Sequence, residues 1–68
     1  MDNKEYVKYF YPKACIGLHG IWRNRLIAVD PPRNPEVDLF WGKHLSDHFD
    51  TEEECWKDAA DNIRGRNG

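Results

Sequence analysis

One amphipathic segment dominates the sequence, DTEEECWKDAADNIRG at residues 50–65. Asp50 or Thr51 can cap a helix, and each has a glutamate three positions later, at the spacing of a capping box. The apolar side chains recur at intervals that place them on one helix face: Cys55, Trp56, Ala59, Ala60 and Ile63. Gly65 is a typical terminating residue, so we predict one helix over about residues 51–64.

The chain before this helix begins with two runs of β-forming residues, interrupted by Pro12 and by the pair His19-Gly20. Glycine adopts a positive φ without steric cost, so a tight turn at His19-Gly20 would join two antiparallel strands. We predict the first strand over about residues 6–18, bent near Pro12, and the second over about residues 21–29.

Three prolines among residues 30–36 exclude a regular strand there, because proline has no N–H to donate. A third strand over about residues 37–45 follows this loop and pairs with the second, since short connections usually join neighbouring antiparallel strands. The predicted fold class is therefore α+β. A three-stranded antiparallel sheet packs against one C-terminal helix, in a single small domain over residues 1–68.

A chain of 68 residues has little room for a deep catalytic cavity beside its core. It contains no glycine-rich phosphate loop and no GxSxG motif. Ser46, the only serine, is near His44 and His48 in sequence, with nothing to hold a nucleophile and base together. We therefore predict that the protein is not an enzyme.

Five residues are of types that bind zinc: Cys15, His19, His44, His48 and Cys55. On a strand Cys15 and His19 would lie about 13 Å apart, too far to share an ion. His44 and His48 could chelate an ion only on a helix, which Gly42 disfavours. We predict no metal site and no cofactor.

The chain has no apolar run of roughly 18 residues, the length that spans a bilayer, and its first ten residues lack the pattern of a signal peptide. Cys15 and Cys55 lie 40 positions apart without a secretory context. We therefore expect a cytoplasmic protein with two reduced thiols.

Charge is distributed unevenly, although the net charge is only −2. Residues 1–33 carry a net charge of +3, and residues 34–68 carry −5. This polarity is expected if the open face of the sheet meets phosphates while the helix faces away from them.

Strand alternation refines this hypothesis. Trp22, Leu26 and Ala28 point toward the core, whereas Arg23 and Arg25 point the other way with Ile27. Arginines on an exposed strand face also occur simply because they keep the protein soluble. This pattern therefore leaves open whether Arg23 and Arg25 bind phosphates or only serve solubility. Phe40 alternates to the exposed face as well and could stack on bases or anchor a protein partner. The predicted nucleic-acid-binding residues are Lys13, Arg23, Arg25, Arg33 and Phe40, with double-stranded DNA as the expected partner.

Several motifs together carry a family resemblance: the run FDTEEEC at residues 49–55, the strand WRNRL at residues 22–26, the Asp30-Pro31 turn and Arg64-Gly65. With them the chain resembles the Apetala/ethylene-response-factor type of DNA-binding domain, which is related to the arm-binding domain of integrases. The resemblance implies three antiparallel strands and one helix, with strand arginines and a tryptophan in the major groove. The possible alignments differ by two residues, so it leaves open whether Arg23 or Arg25 matches a contact position.

The acidic helix supports a second hypothesis from another class of protein. Glu54, Asp58 and Asp61 fall opposite the apolar face, as a solvated helix surface usually does. Such a surface can also imitate a phosphate track. The chain would then be a phage-type anti-defence inhibitor or adaptor, of the anti-CRISPR or anti-restriction kind. It would bind a host nucleic-acid-processing protein complex through its acidic helix or its aromatic sheet face.

Overall fold

A computed structural model describes residues 2–19, 25–34, 36–37 and 42–67. It has five elements in chain order: α1 (Asn3–Phe10), β1 (Cys15–His19), β2 (Arg25–Asp30), β3 (Lys43–His44) and α2 (Glu52–Asn67). The predicted α+β class, with a three-stranded antiparallel sheet and a C-terminal helix, is confirmed. The N-terminal helix α1 is an addition to the prediction.

The strand order is β1-β2-β3, and both pairings are antiparallel. Cys15 lies opposite Val29 at one end of the β1-β2 ladder, and His19 lies opposite Arg25 at the other. Strand β3 contributes two further pairs, Val29 with His44 and Asp30 with Lys43. The predicted turn residue Gly20 and the predicted start of the second strand, residues 21–24, lie outside the described residues.

The predicted first strand over residues 6–18 is wrong in its N-terminal half, because residues 6–10 belong to α1. Asp2 caps this helix, and its Oδ1 accepts a hydrogen bond from the Glu5 backbone N–H at 2.8 Å. Val7 is fully buried against the core. Capping and burial outweigh the β propensity of the tyrosines, which depends strongly on context.

The predicted third strand does not begin at Val37, which lies in a bend. Asn34 organises a turn here: its Oδ1 accepts from the Glu36 N–H at 3.0 Å, and its carbonyl accepts from the Val37 N–H at 3.1 Å. The rest of the predicted strand before Gly42, residues 38–41, lies outside the described residues.

Helix α2 buries the five apolar residues predicted for its inner face: Cys55, Trp56, Ala59, Ala60 and Ile63. They pack with Val7 of α1 and Ala28 of β2 in one core cluster. Thr51 is the cap, since its Oγ1 accepts from the Glu54 N–H at 3.3 Å and donates to Glu54 Oε1 at 2.9 Å.

Gly65 does not end α2, which continues to Asn67. Glycine costs only about 1 kcal/mol in a helix interior, so it permits termination without imposing it. Arg64 fixes the preceding turn, because its guanidinium lies 4.5 Å from the centroid of the Tyr6 ring on α1. No helix within the described residues is long and apolar enough to cross a membrane.

The sheet face that points away from α2 is more buried than predicted. Ile27, expected on an open surface beside the arginines, is 1% exposed, and Val29 on the same face is fully buried. Aliphatic side chains gain free energy when they leave water, so burial at both positions is favourable. At these positions the sheet therefore offers no open face for a ligand.

Gly42 has a definite steric role where β3 begins. A Cβ added there would collide with the Asp30 carbonyl oxygen of the neighbouring strand. Only glycine allows the two backbones to approach this closely. Gly42 is thus a close-approach position next to the pair of Lys43 and Asp30.

Replacement of Trp56 by alanine tests the core. The side chain is 7% exposed, so Trp56→Ala should lower the free energy of unfolding by about 3–5 kcal/mol. Denaturant titration measures the change. The neighbouring exposed Lys57→Ala should cost less than about 1 kcal/mol, and equal losses in the two variants would contradict this packing.

Candidate nucleic-acid interface

Residues 10–13 and residues 30–33 line the two sides of a shallow groove between the end of α1 and the loop after β2. We call it the basic-aromatic groove. Two predicted binding residues, Lys13 and Arg33, lie on opposite sides of it and are exposed. Asp30 is the only carboxylate among these lining residues. The fold therefore brings together two cations that are 20 positions apart in sequence.

Aromatic side chains contribute the apolar part of the groove. Phe10 is the last residue of α1 and is 43% exposed, and Tyr11 follows it. The Phe10 ring makes edge-to-face contacts with Tyr6 and Tyr9, at centroid distances of 5.3 Å and 5.2 Å. These contacts orient Phe10 without covering it.

A third cation, Lys43, lies beside the groove. Its Nζ donates a hydrogen bond to the Tyr11 hydroxyl at 2.9 Å and lies 5.1 Å from the centroid of the ring. Pairing of Lys43 with Asp30 across β2 and β3 places it there. Lys43 was not among the predicted binding residues, because its partner Asp30 was assigned to the proline-rich loop and not to the strand that pairs with Lys43.

Arg25 lies at the other end of the β1-β2 ladder, about 13 Å along the strands from the groove end. It forms an exposed ion pair of 3.9 Å with Asp50, and its Nη2 donates to the His48 carbonyl at 3.4 Å. The structure thus does not place Arg25 with Lys13 and Arg33. The predicted residues Arg23 and Phe40 lie outside the described residues.

All three histidines converge near Arg25. The rings of His19 and His48 are stacked at a centroid distance of 4.5 Å, with His19 Nδ1 against His48 Nε2. His44 meets His19 edge-to-face at 5.6 Å. Pairing of His19 with Arg25 and of His44 with Val29 places both residues on the same sheet face. Local spacing in the sequence does not reveal this cluster, because strand pairing brings His19 and His44 together.

The histidine cluster affects protonation of His48. Burial lowers the pKa of His48, and the positive charges of His19, Arg25 and His44 lower it further, against an opposing effect of Asp47. No group of three His, Cys, Asp or Glu side chains within the described residues is arranged to hold a metal ion. The surroundings of His48 therefore disfavour its protonation.

The acidic residues of the second hypothesis do share one surface. Glu54, Asp58 and Asp61 line a shallow groove together with Phe49 and Lys57. Each carboxylate already has a partner within the chain. Glu54 accepts from the Thr51 hydroxyl, and Asp58 accepts from the Asp47 backbone N–H at 2.9 Å. Asp61 accepts from Lys57 at 3.0 Å and from Arg64 at 3.3 Å.

Local contacts and burial also shift the pKa values of Asp61 and Cys55. The hydrogen bond from Lys57 lowers the pKa of Asp61 and keeps it ionised. Burial raises the pKa of the Cys55 thiol, more than the hydrogen bond with Ser46 lowers it. Cys15 and Cys55 are both free, and the buried Cys55 belongs to the core.

No family model matches this chain, and comparisons with curated proteins and with solved structures find no significant match. The resemblance to the Apetala/ethylene-response-factor type therefore stays a prediction.

The histidine cluster predicts a loss of stability in acid. The folded state lowers the pKa of His48 below its ordinary 6.5, so the unfolded chain binds the proton more tightly. The free energy of unfolding should therefore fall as the pH drops below 6.5, and it should be unaffected by this group at higher pH. Urea titrations at pH 7.5 and 5.5 measure the difference.

His48→Gln removes the titrating ring and keeps a polar group, so this variant should lose less stability than the native chain over the same interval. His44→Gln should change the pH dependence less than His48→Gln, because His44 contributes less than burial, His19 and Arg25 to the lowered pKa of His48. An identical pH dependence of the native chain and His48→Gln would contradict the role assigned to His48.

Proposed function

We propose that this chain is a non-enzymatic nucleic-acid-binding domain that acts in the cytoplasm through its basic-aromatic groove. The observation that carries this proposal is that Lys13 and Arg33 line one groove together with the exposed Phe10, the last residue of α1. Phosphates would meet the cations, and the apolar surface would meet the sugar or base.

The electrostatics favour this groove over the other basic positions. Lys57, Arg64 and Arg25 all form ion pairs with carboxylates. Lys13, Arg33 and Lys43 form none within the described part of the chain. Cations without a carboxylate partner keep their charge available to an anionic ligand. Lys4 and Lys8 also form no ion pair within the described residues, but they do not line this groove, whereas Lys13 and Arg33 line it together.

The distribution of charge explains how a chain with a net charge of −2 can bind a polyanion. The carboxylates of Glu54, Asp58 and Asp61 lie on α2, around a groove that shares no lining residue with the basic-aromatic groove. The Debye length is about 10 Å at 0.1 M salt, so distant carboxylates are largely screened while adjacent cations act at contact.

A double substitution tests the proposal. Lys13→Ala with Arg33→Ala should weaken binding of a fluorescein-labelled 20-mer and flatten the slope of log affinity against log salt by up to about two units, since each phosphate contact contributes roughly 0.7–0.9. Fluorescence anisotropy from 25 to 200 mM salt measures this slope, for the single strand and for its duplex.

Lys4→Ala with Arg25→Ala is the matched control, because it also removes one lysine and one arginine but from outside the groove. This control should retain most of the slope. The proposal fails if both double variants lose binding equally, or if the native chain binds neither the single strand nor the duplex at 25 mM salt.

The second candidate is the phage-type inhibitor that binds a protein through the acidic helix. One observation favours it: Glu54, Asp58 and Asp61 line a single groove that also contains Phe49. The hydrogen bonds of these carboxylates within the chain weaken the second candidate. A protein partner would have to compete with Thr51, Lys57 and Arg64 for the carboxylates of Glu54 and Asp61.

Neutralisation of the acidic helix distinguishes the two candidates. Glu54→Gln with Asp58→Asn and Asp61→Asn keeps amide acceptors at the three positions while removing the charge. If the basic-aromatic groove binds nucleic acid, this variant should bind the 20-mer slightly more tightly. Retention of a nuclease complex by the native chain and its release by the neutral variant would instead support the inhibitor.

A further inference from the structure

We propose that the basic-aromatic groove takes single-stranded nucleic acid, with an unpaired base on Phe10 and the flanking phosphates at Lys13 and Arg33. This inference rests on the proposed function and specifies its ligand. It departs from the duplex expected from the sequence, because the observations below concern a surface other than an open sheet face.

The first observation is the aromatic surface beside the cations. Tyr9 is 73% exposed and Phe10 is 43% exposed, on the last turn of α1. Large aromatic side chains normally gain free energy by leaving water, so two adjacent exposed rings indicate a contact surface. Edge-to-face contacts with Tyr6 and Tyr9 hold the Phe10 ring in place, which lowers the entropy cost of stacking a base on it.

The second observation is the chemistry of the groove lining. Pro12, Pro31 and Pro32 line it and have no backbone N–H, so these positions cannot donate hydrogen bonds to base edges. The groove therefore has few backbone donors for reading base edges, which favours binding by stacking and charge. Aromatic platforms combined with a basic groove bind single strands with little sequence preference, because every base has a π-face.

The third observation concerns duplex DNA, whose bases are stacked inside and expose only their edges. A sheet reads those edges by entering the major groove with an open face, but Ile27 and Val29 are buried on the sheet face that α2 does not cover. The basic-aromatic groove has a volume of about 300 Å³, at the lower end of the range of small-molecule sites, so it suits a small group better than a duplex.

The test uses three ligands of equal length with the same label: a 12-mer of thymidines, the matched abasic 12-mer, and a 12-base-pair duplex. The native chain should bind the thymidine strand at least tenfold more tightly than the abasic strand or the duplex. Phe10→Leu keeps an apolar side chain but removes the π-face. It should weaken binding of the thymidine strand by roughly 5- to 150-fold, the range for loss of one stacked base.

The same variant should leave the affinity for the abasic strand and the salt slope unchanged, since the phosphate contacts remain. Circular dichroism and the thermal midpoint establish that Phe10→Leu is folded. Tyr6→Leu provides a second variant that loosens Phe10 without removing its ring, and it should weaken binding of the thymidine strand by less than Phe10→Leu.

Duplex affinity equal to that of the thymidine strand would overturn the single-strand inference while leaving nucleic-acid binding intact. The inference also fails if Phe10→Leu weakens binding of the thymidine and abasic strands equally, because the ring would then not stack on a base. Absence of binding to all three ligands would overturn the proposed function itself.

Discussion

The close packing of α2 against the sheet and α1 is the constraint on which the rest of the structure depends. Ala59 and Ala60 are fully buried, and such small side chains let a helix approach its neighbours closely. Trp56 and Ile63 then fill the space on either side within the same core cluster. A domain this small buries a limited fraction of its surface, so one helix face contributes much of the available apolar burial.

The position of α1 follows from that packing, and the basic-aromatic groove follows from the position of α1. Val7 fixes the helix in the core, and the Tyr6 ring lies under Arg64 of α2. The chain then leaves α1 at Phe10 and passes Lys13 before it enters β1. A groove opposite residues 30–33 is therefore a consequence of core packing rather than of a local motif.

Features that depend on residue spacing within one helix were predicted correctly from the sequence. Features that depend on contacts between residues far apart in the chain were not. The inner face of α2 and a cap at Asp50 or Thr51 were predictable, because their spacing within one helix carries the information, and the structure shows that Thr51 is the cap. Helix α1 was missed because β propensity was given more weight than the Asp2 and Glu5 spacing, which has capping-box geometry. Convergence of the three histidines depends on strand register and was not readable from local spacing.

The sequence analysis correctly divided the chain into a basic and an acidic half, but the total charge of a segment does not identify a binding surface. Pairing within the fold decides which charges remain available. The carboxylates of Glu54 and Asp61 are engaged by Thr51, Lys57 and Arg64, and Arg25 is engaged by Asp50. A ligand that displaced these partners would have to replace the contacts that it broke. Lys13 and Arg33 form no ion pair within the described residues, and this supports the proposed role of the groove that they line.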